Sequence, residues 1–253
     1  MGLNLVESFL SIQGEGANSG KLAVFLRFAG CNLTCKGFGV NKISPKTGEE
    51  LTGCDTIRAV YTSHFKYQNL TSQEILAIVK KYAKNLRQKP IVVITGGEPL
   101  LHHKNENFIN LVQNLLDENY EVHFETNGTI EVDFSKFELY KNCTFAISVK
   151  LSASGENKAK RINKAALKAM KNSAKESFYK FVINEDLIQS GQATDEIFEI
   201  LKICDNEVFC MPQGYDKITL EKNARSVAEF CIKFGFNYTD RVHIRLWGDK
   251  EGV

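Results

Sequence analysis

Hydrophobic and polar positions follow two periods that take turns along this 253-residue chain. Residues 3–9 and 22–26 are β-rich, and the pattern then turns helical. Thr71, Ser72, Gln73 and Glu74 form a capping box, after which Ile75, Ile78, Val79, Tyr82 and Leu86 recur at helical spacing. Pro90 ends that helix. Residues 91–95, Ile-Val-Val-Ile-Thr, are continuous and β-branched, as expected of a strand buried on both faces of a parallel sheet. Phe108, Leu111, Val112, Leu115 and Leu116 mark the next helix. Further strands are predicted at 121–126, 143–149, 177–183, 208–211 and 242–247. Helical patterns lie near 134–140, 158–171, 194–203 and 219–234. Strand followed by helix at such short intervals implies parallel strands joined by right-handed crossovers. Counted from Leu22 there are six or seven strands, fewer than a closed barrel needs. The expected fold is therefore α/β, a partial (open) parallel β/α barrel forming one domain over 1–253. Ser44, Pro45, Thr47 and Gly48 predict an inserted turn or small hairpin over 36–53.

Composition adds exclusions. A chain that is 43% hydrophobic and 25% charged is an ordinary globular one. With 32 basic against 30 acidic residues, the net charge of +2 gives no electrostatic footprint for nucleic acid or an acidic membrane surface. No run approaches ~18 apolar residues, and the first residues carry no basic leader, so a cytoplasmic location is expected. Thiols stay reduced there, and the seven cysteines are better read as ligands and core residues than as disulfides.

Three of those cysteines, Cys31, Cys35 and Cys54, fall in the loop that leaves the strand at 22–26, beside Gly30, Gly37, Gly39 and Gly53. Supple backbone allows such thiolates to converge on one metal centre, and three ligands leave a coordination position open for substrate. Two plainer readings stand beside this one: buried small hydrophobes, or a zinc staple completed by His64. The other cysteines, Cys143, Cys204, Cys210 and Cys231, lie in apolar patterns and read as core.

Chemistry-bearing residues recur at the carboxyl ends of successive strands. Arg27 and the cysteines follow the first, Thr95, Gly96, Gly97, Glu98 and Pro99 the second, and Glu125, Thr126, Asn127 and Gly128 the third. Ser148, Val149 and Lys150 follow the fourth, Asn184 and Glu185 the fifth, and Pro212, Gln213 and Gly214 the sixth. In a parallel barrel these ends share one rim, where active sites sit. Gly96 and Gly97 would let backbone approach a small ligand closely. Gln13 reads either as part of a tight turn with a solvated Glu15, or as an amide hydrogen-bonding a polar heterocycle. Glu125 and Asn127 either bind a ligand or make the turn before Thr129, and Lys150 either meets a carboxylate or is simply exposed.

Together these motifs resemble the radical S-adenosylmethionine enzymes, and more closely the 7-carboxy-7-deazaguanine synthase family. The residues that carry the resemblance are SIQGEG at 11–16, FLRFAGCNL at 25–33, CDT at 54–56, TGGEP at 95–99, ETNG at 125–128, SVK at 148–150 and RLWG at 245–248. They span nearly the whole chain. Phe38 stands where the superfamily's CxxxCxxC spacing would put the third cysteine, and Val149 where the family often has proline.

The resemblance implies a [4Fe-4S] cluster on Cys31, Cys35 and Cys54, the last being the cysteine that precedes Asp-Thr. It implies S-adenosylmethionine against Gly97, Ser148, Val149, Lys150, Met211, Pro212, Gln213 and Gly214, and Mg2+ on Thr56. The implied reaction is radical ring contraction of 6-carboxy-5,6,7,8-tetrahydropterin to 7-carboxy-7-deazaguanine and ammonia, on the route to queuosine. Ile12, Gln13, Gly14, Arg27, Thr95 and the terminal carboxylate of Val253 would bind substrate, with Arg27, Gln13 and Glu125 as the catalytic set. Guanidinium suits Arg27 to a carboxylate because it is a planar fork. An electron donor such as flavodoxin or ferredoxin and a homodimer are the implied partners, without nucleic acid or membrane. A glycyl-radical activase or a zinc scaffold are the alternatives in other classes.

Overall fold

Ten residues at the start, Leu3–Ile12 (β1), pair antiparallel with Leu22–Phe28 (β2), and every later strand of the main sheet builds outward from this hairpin. The computed structural model describes residues 2–248, 250 and 252. Val40–Ile43 (β3) and Glu50–Gly53 (β4) form a separate antiparallel pair, joined by helix Ile57–Val60 (α1) to Gln68–Leu70 (β5), which flanks β1. The regular alternation follows. Ser72–Ala83 (α2) leads to Ile91–Gly96 (β6), Glu106–Asp117 (α3) to Val122–Thr126 (β7), and a 3-10 turn at Glu138–Asn142 to Thr144–Ile147 (β8). Lys158–Arg161 (α4) and Lys164–Ser173 (α5) precede Glu176–Ile183 (β9). Glu185–Gln189 (α6) and Gln192–Ile203 (α7) precede Glu207–Pro212 (β10). Lys217–Phe234 (α8), Asn237–Tyr238 (β11) and Val242–Trp247 (α9) close the chain.

Among the described residues the main sheet runs β11-β10-β9-β8-β7-β6-β2-β1-β5, with parallel pairing from β2 through to β11. Its outer strands do not meet, so the α/β barrel is open, as the strand count implied. The hairpin expected within 36–53 is β3–β4.

Local chemistry explains the elements. Thr71 accepts from the Glu74 amide while Glu74 accepts from the Thr71 amide at 2.7 Å, completing the capping box of α2. Every residue of β6 is buried, in accord with its unbroken apolar run. Three expectations are corrected. Residues 242–247, read as a strand from the alternation of Val242, Ile244 and Leu246, are helical. Only Ile244 is buried and Leu246 is 55% exposed, so no partner strand could cover that alternating face. The predicted helix near 134–140 is a capped turn followed by the 3-10 segment, because the Asp133 carboxylate takes the Ser135 and Lys136 amides. The helix over 158–171 is cut in two by Asn163, whose side chain accepts from the Ala165 and Ala166 amides and starts α5 afresh.

Helices cover one face of the sheet, where the main core lies, with Phe124 fully buried and its ring 5.1 Å from that of Phe145. The other face has a small apolar floor of Ala23, Phe25, Ile91 and Val93, with Phe9 stacked on Phe25. Phe124→Ala should lower unfolding free energy by about 3–5 kcal/mol, read from urea denaturation, because the cavity it leaves is hemmed by other rings.

Candidate active site

Strand alternation decides which side chains meet the space above that floor. On β2, Val24, Leu26 and Phe28 go to the main core, so Phe25 and Arg27 face the other way. Arg27 pairs in register with Glu7 of β1 and Thr95 of β6. Phe124 is core, so Glu125 faces the cavity. Tyr179, Phe181 and Ile183 are core, so Lys180 faces it, and with Cys210 in the core Met211 does too. The result is a cavity of about 660 Å3, within the usual range of small-molecule sites.

Of the expected site residues, Ile12, Gln13, Gly14, Arg27, Thr56, Thr95, Gly97, Glu125, Ser148, Lys150, Met211, Gln213 and Gly214 line this cavity, together with Cys31, Cys35 and Cys54. Val149 and Pro212 do not. Val149 is part of the main core, and Pro212 shares the inward parity of Cys210. Val253 lies outside the described residues.

The cysteine loop forms one wall. Burial lifts the thiols of Cys31 and Cys35 to about 12 and raises that of Cys54, so without a bound metal they are neutral. Leu33 N–H donates to the Cys31 sulfur at 3.4 Å, and Thr56 Oγ1 lies 3.1 Å from the Cys54 sulfur. Among the described residues no three His, Cys, Asp or Glu side chains come close enough to hold a single metal ion. His64 is engaged by Ser44 and Thr47 of the hairpin loop, at 3.1 and 3.4 Å. No other cysteine lines the cavity. Three thiols on one wall, that of Cys35 buried and those of Cys31 and Cys54 partly exposed, with room beside them, fit a multi-iron cluster that keeps one position open.

Gly96 and Gly97 serve this wall. A Cβ on Gly96 would stand 2.1 Å from the Phe28 carbonyl oxygen, and one on Gly97 would stand 2.2 Å from the Gly30 carbonyl oxygen and 2.7 Å from the Cys31 Cβ. Both glycines line the cavity, and their bare backbone also lets the end of β2 and the start of the cysteine loop approach closely. Glu98, fully buried, then accepts from the Leu100 amide at 3.0 Å, the Thr126 hydroxyl at 2.8 Å and the Asn127 amide at 2.6 Å. Asn127 donates to Asn32 at 3.0 Å, and Asn32 donates to Thr129 at 2.7 Å. The GGEP and ETNG loops are thereby tied to the residue that follows Cys31.

The opposite wall is charged. Glu125 accepts from Gln13 at 3.1 Å and Thr95 at 3.2 Å, and Lys180 lies 3.6 Å away. Glu15, solvated in one of the two readings of its turn, is largely covered, its side chain 11% exposed. Lys180 approaches it at 2.6 Å, Arg241 at 2.9 Å and His243 at 3.9 Å. Burial alone would raise its pKa, but Lys180 and Arg241 more than reverse this and hold the carboxyl far below its usual range. Arg241 also pairs with Asp55 at 2.6 Å and donates to the Gly214 carbonyl at 2.7 Å. Glu7 holds the Nε of Arg27 at 2.7 Å. Lys180, Arg241, His243, Glu7 and Asp55 were missed from sequence. Lys180 alone carried a usable signal, a cation at an inward position within the apolar run FYKFV.

The open parallel sheet with three thiols on its cavity wall defines a single-cluster iron–sulfur protein, and a family model described as "4Fe-4S single cluster domain" matches residues 12–171. Curated relatives narrow this. A 7-carboxy-7-deazaguanine synthase of Halobacterium salinarum is 30% identical over 98% of this chain and 91% of its own length. One of Clostridium acetobutylicum is 35% identical over 75% of this chain and 68% of its own. The chain belongs to the 7-carboxy-7-deazaguanine synthase family. The crystal structure of QueE from Escherichia coli shares the fold, with a TM-score of 0.62 at 22% identity, covering 94% of this chain and 93% of that one.

Burial lifts the Glu98 carboxyl to about 7 against the hydrogen bonds that pull it down. Its stabilising contribution is therefore full below the ordinary value of 4.5 and is lost as pH rises towards about 7. In urea titrations of the apo chain, the stability of wild type relative to Glu98→Gln should fall by about 3 kcal/mol between pH 4 and pH 8. A difference that stays constant with pH would refute this.

Proposed function

We propose that this chain converts 6-carboxy-5,6,7,8-tetrahydropterin to 7-carboxy-7-deazaguanine and ammonia by radical ring contraction, in 7-deazapurine (queuosine) biosynthesis. The observation that carries the reading is one cavity with a three-thiol wall facing a wall of Arg27, Gln13 and Glu125, in a chain of this family. Cys31, Cys35 and Cys54 hold a [4Fe-4S] cluster. Gly97, Ser148, Lys150, Met211, Gln213 and Gly214 line the S-adenosylmethionine subsite. When bound, the cluster and S-adenosylmethionine supply one-electron chemistry and hydrogen-atom abstraction.

The chain's own residues position the substrate and exclude water from it. Glu7 occupies Nε of Arg27, so the two terminal nitrogens form the fork that takes the pterin carboxylate. Glu125, already bonded by Gln13 and Thr95, accepts from heterocycle N–H groups, while Ile12 and Gly14 bound the ring edge. Thr56 offers a hydroxyl oxygen to Mg2+, a hard ion that prefers oxygen. A flavodoxin or ferredoxin serves as electron donor to a cytoplasmic homodimer, each subunit a single core domain. Among the described residues no helix is long and apolar enough to cross a membrane.

Anaerobic reconstitution with iron and sulfide, then incubation with reductant, Mg2+, S-adenosylmethionine and carboxytetrahydropterin, should yield carboxydeazaguanine by mass spectrometry without stoichiometric use of S-adenosylmethionine. Cys54→Ala should abolish product. Arg27→Lys should lower kcat/KM by roughly 10- to 100-fold, as loss of a charged bidentate contact does. Cleavage of S-adenosylmethionine with the pterin left intact would reject the substrate.

A further inference from the structure

Cys35 presents a conformational conflict. Its φ of 51° and ψ of 44° put it in the left-handed region, where a Cβ is disfavoured, yet a ligand position needs a side chain. Glycine would relieve the backbone and remove the thiol.

The loop around Cys35 is gripped from outside at two points. Glu156 lies between β8 and α4, and its side chain is 7% exposed. One carboxylate oxygen accepts from the Thr34 amide at 2.6 Å, the Thr34 hydroxyl at 2.9 Å and the Cys35 amide at 2.9 Å. Two residues past Cys35, a Cβ on Gly37 would stand 2.1 Å from the Ala153 carbonyl oxygen, so the loop lies directly on the turn at Ser152–Ser154. Both grips come from the crossover after β8, more than a hundred residues away in the chain.

We infer that Glu156 is a positioning residue for the second cluster ligand: it holds Thr34 and Cys35 in the left-handed turn that keeps the thiol on the cavity wall before any iron arrives. The role is geometric. A carboxylate beside thiolates is electrostatically unfavourable, so its presence is explained by the three donors that converge on one oxygen. The inference rests on Cys35 being a cluster ligand, and it does not depend on which substrate the enzyme takes.

The test uses the full chain, reconstituted anaerobically, as wild type, Glu156→Ala, Glu156→Gln and Lys160→Ala. Lys160 meets the other Glu156 oxygen at 3.5 Å and is 53% exposed, so its removal serves as the control. Three readouts are taken: iron and sulfide per chain, the rate of iron loss to a ferrous chelator, and hydrogen exchange of the Thr34 and Cys35 amides in the apo chain. Glu156→Ala should speed iron loss about 10- to 100-fold, the usual effect of removing a group that orients a ligand, and should deprotect both amides. Glu156→Gln, which keeps an acceptor oxygen, should fall between, and Lys160→Ala should match wild type. Far-UV circular dichroism and thermal melting identify a variant that fails to fold, in which case Glu156→Gln carries the comparison. Wild-type rates of iron loss in both Glu156 variants overturn the proposal, whatever happens to pterin turnover. Full iron retention by Cys35→Ser would instead reject the ligand assignment beneath it.

Discussion

The cavity depends on the buried guanidinium of Arg241. Its nitrogens reach Glu15 in the loop after β1, Asp55 beside the third cysteine and the Gly214 carbonyl beyond β10. These groups belong to three walls that share no strand pairing at those points, and one planar fork fixes their spacing. The Val242 amide adds a bond to the Gly14 carbonyl at 3.0 Å, and a Cβ on Gly14 would stand 2.4 Å from the His243 ring, so the last helix closes directly against the first loop. Buried ion pairs cost much desolvation and contribute little net stability when fully paired. Their value here is geometric: Lys180 and Arg241 are needed to keep Glu15 charged, and Glu15 in turn fixes both cations.

That dependence explains what could and could not be read from the sequence. The open parallel sheet was legible because period alone separates strand from helix, and the strand-end motifs followed from it. Arg27, Thr95 and Glu125 were legible as well, since each stands at or near the end of a strand whose other face is apolar. The charged partners were not. Glu15 lies in a glycine-flanked turn that gives no sign of burial, and what buries it arrives from residues 180 and 241. Residues 242–247 misled for a related reason. Their alternation matches a strand, but β11 is only two residues long and offers no edge for another strand to join.

The GGEP loop has a structural task beside the one expected of it. Its glycines were expected to admit a ligand, and beyond lining the cavity they also make room for the Phe28 and Gly30 carbonyls. A side chain at either position would push the cysteine loop off its seat. Glu98 continues the same task one residue later, joining this loop to Thr126 and Asn127, and Asn127 continues it to Asn32. The motif therefore reaches the reacting centre through the protein, by setting where Cys31 stands.

This arrangement accounts for the departure in cysteine spacing. Phe38 occupies the position where a third ligand was expected, and eighteen residues separate Cys35 from Cys54. A long insertion between the two cysteines proposed as ligands is tolerable if each is placed without help from the segment between them, and loop closure itself grows costlier only slowly with length. Both ends meet that condition. Cys35 is held by Glu156 from the crossover after β8, while the neighbour of Cys54 is held by Arg241. The segment between them is supported from the residues after Cys54: Leu51 packs with Ile57 and Phe65 in a separate apolar cluster, and Tyr61 donates to the Thr52 carbonyl at 2.9 Å. With its ends fixed and its second strand packed on the helix after Cys54, the hairpin can vary in length without moving the thiols. Its inner edge, Phe38, Val40 and Lys42, lines the cavity, so the same insertion that leaves the cluster undisturbed reshapes the space beside it.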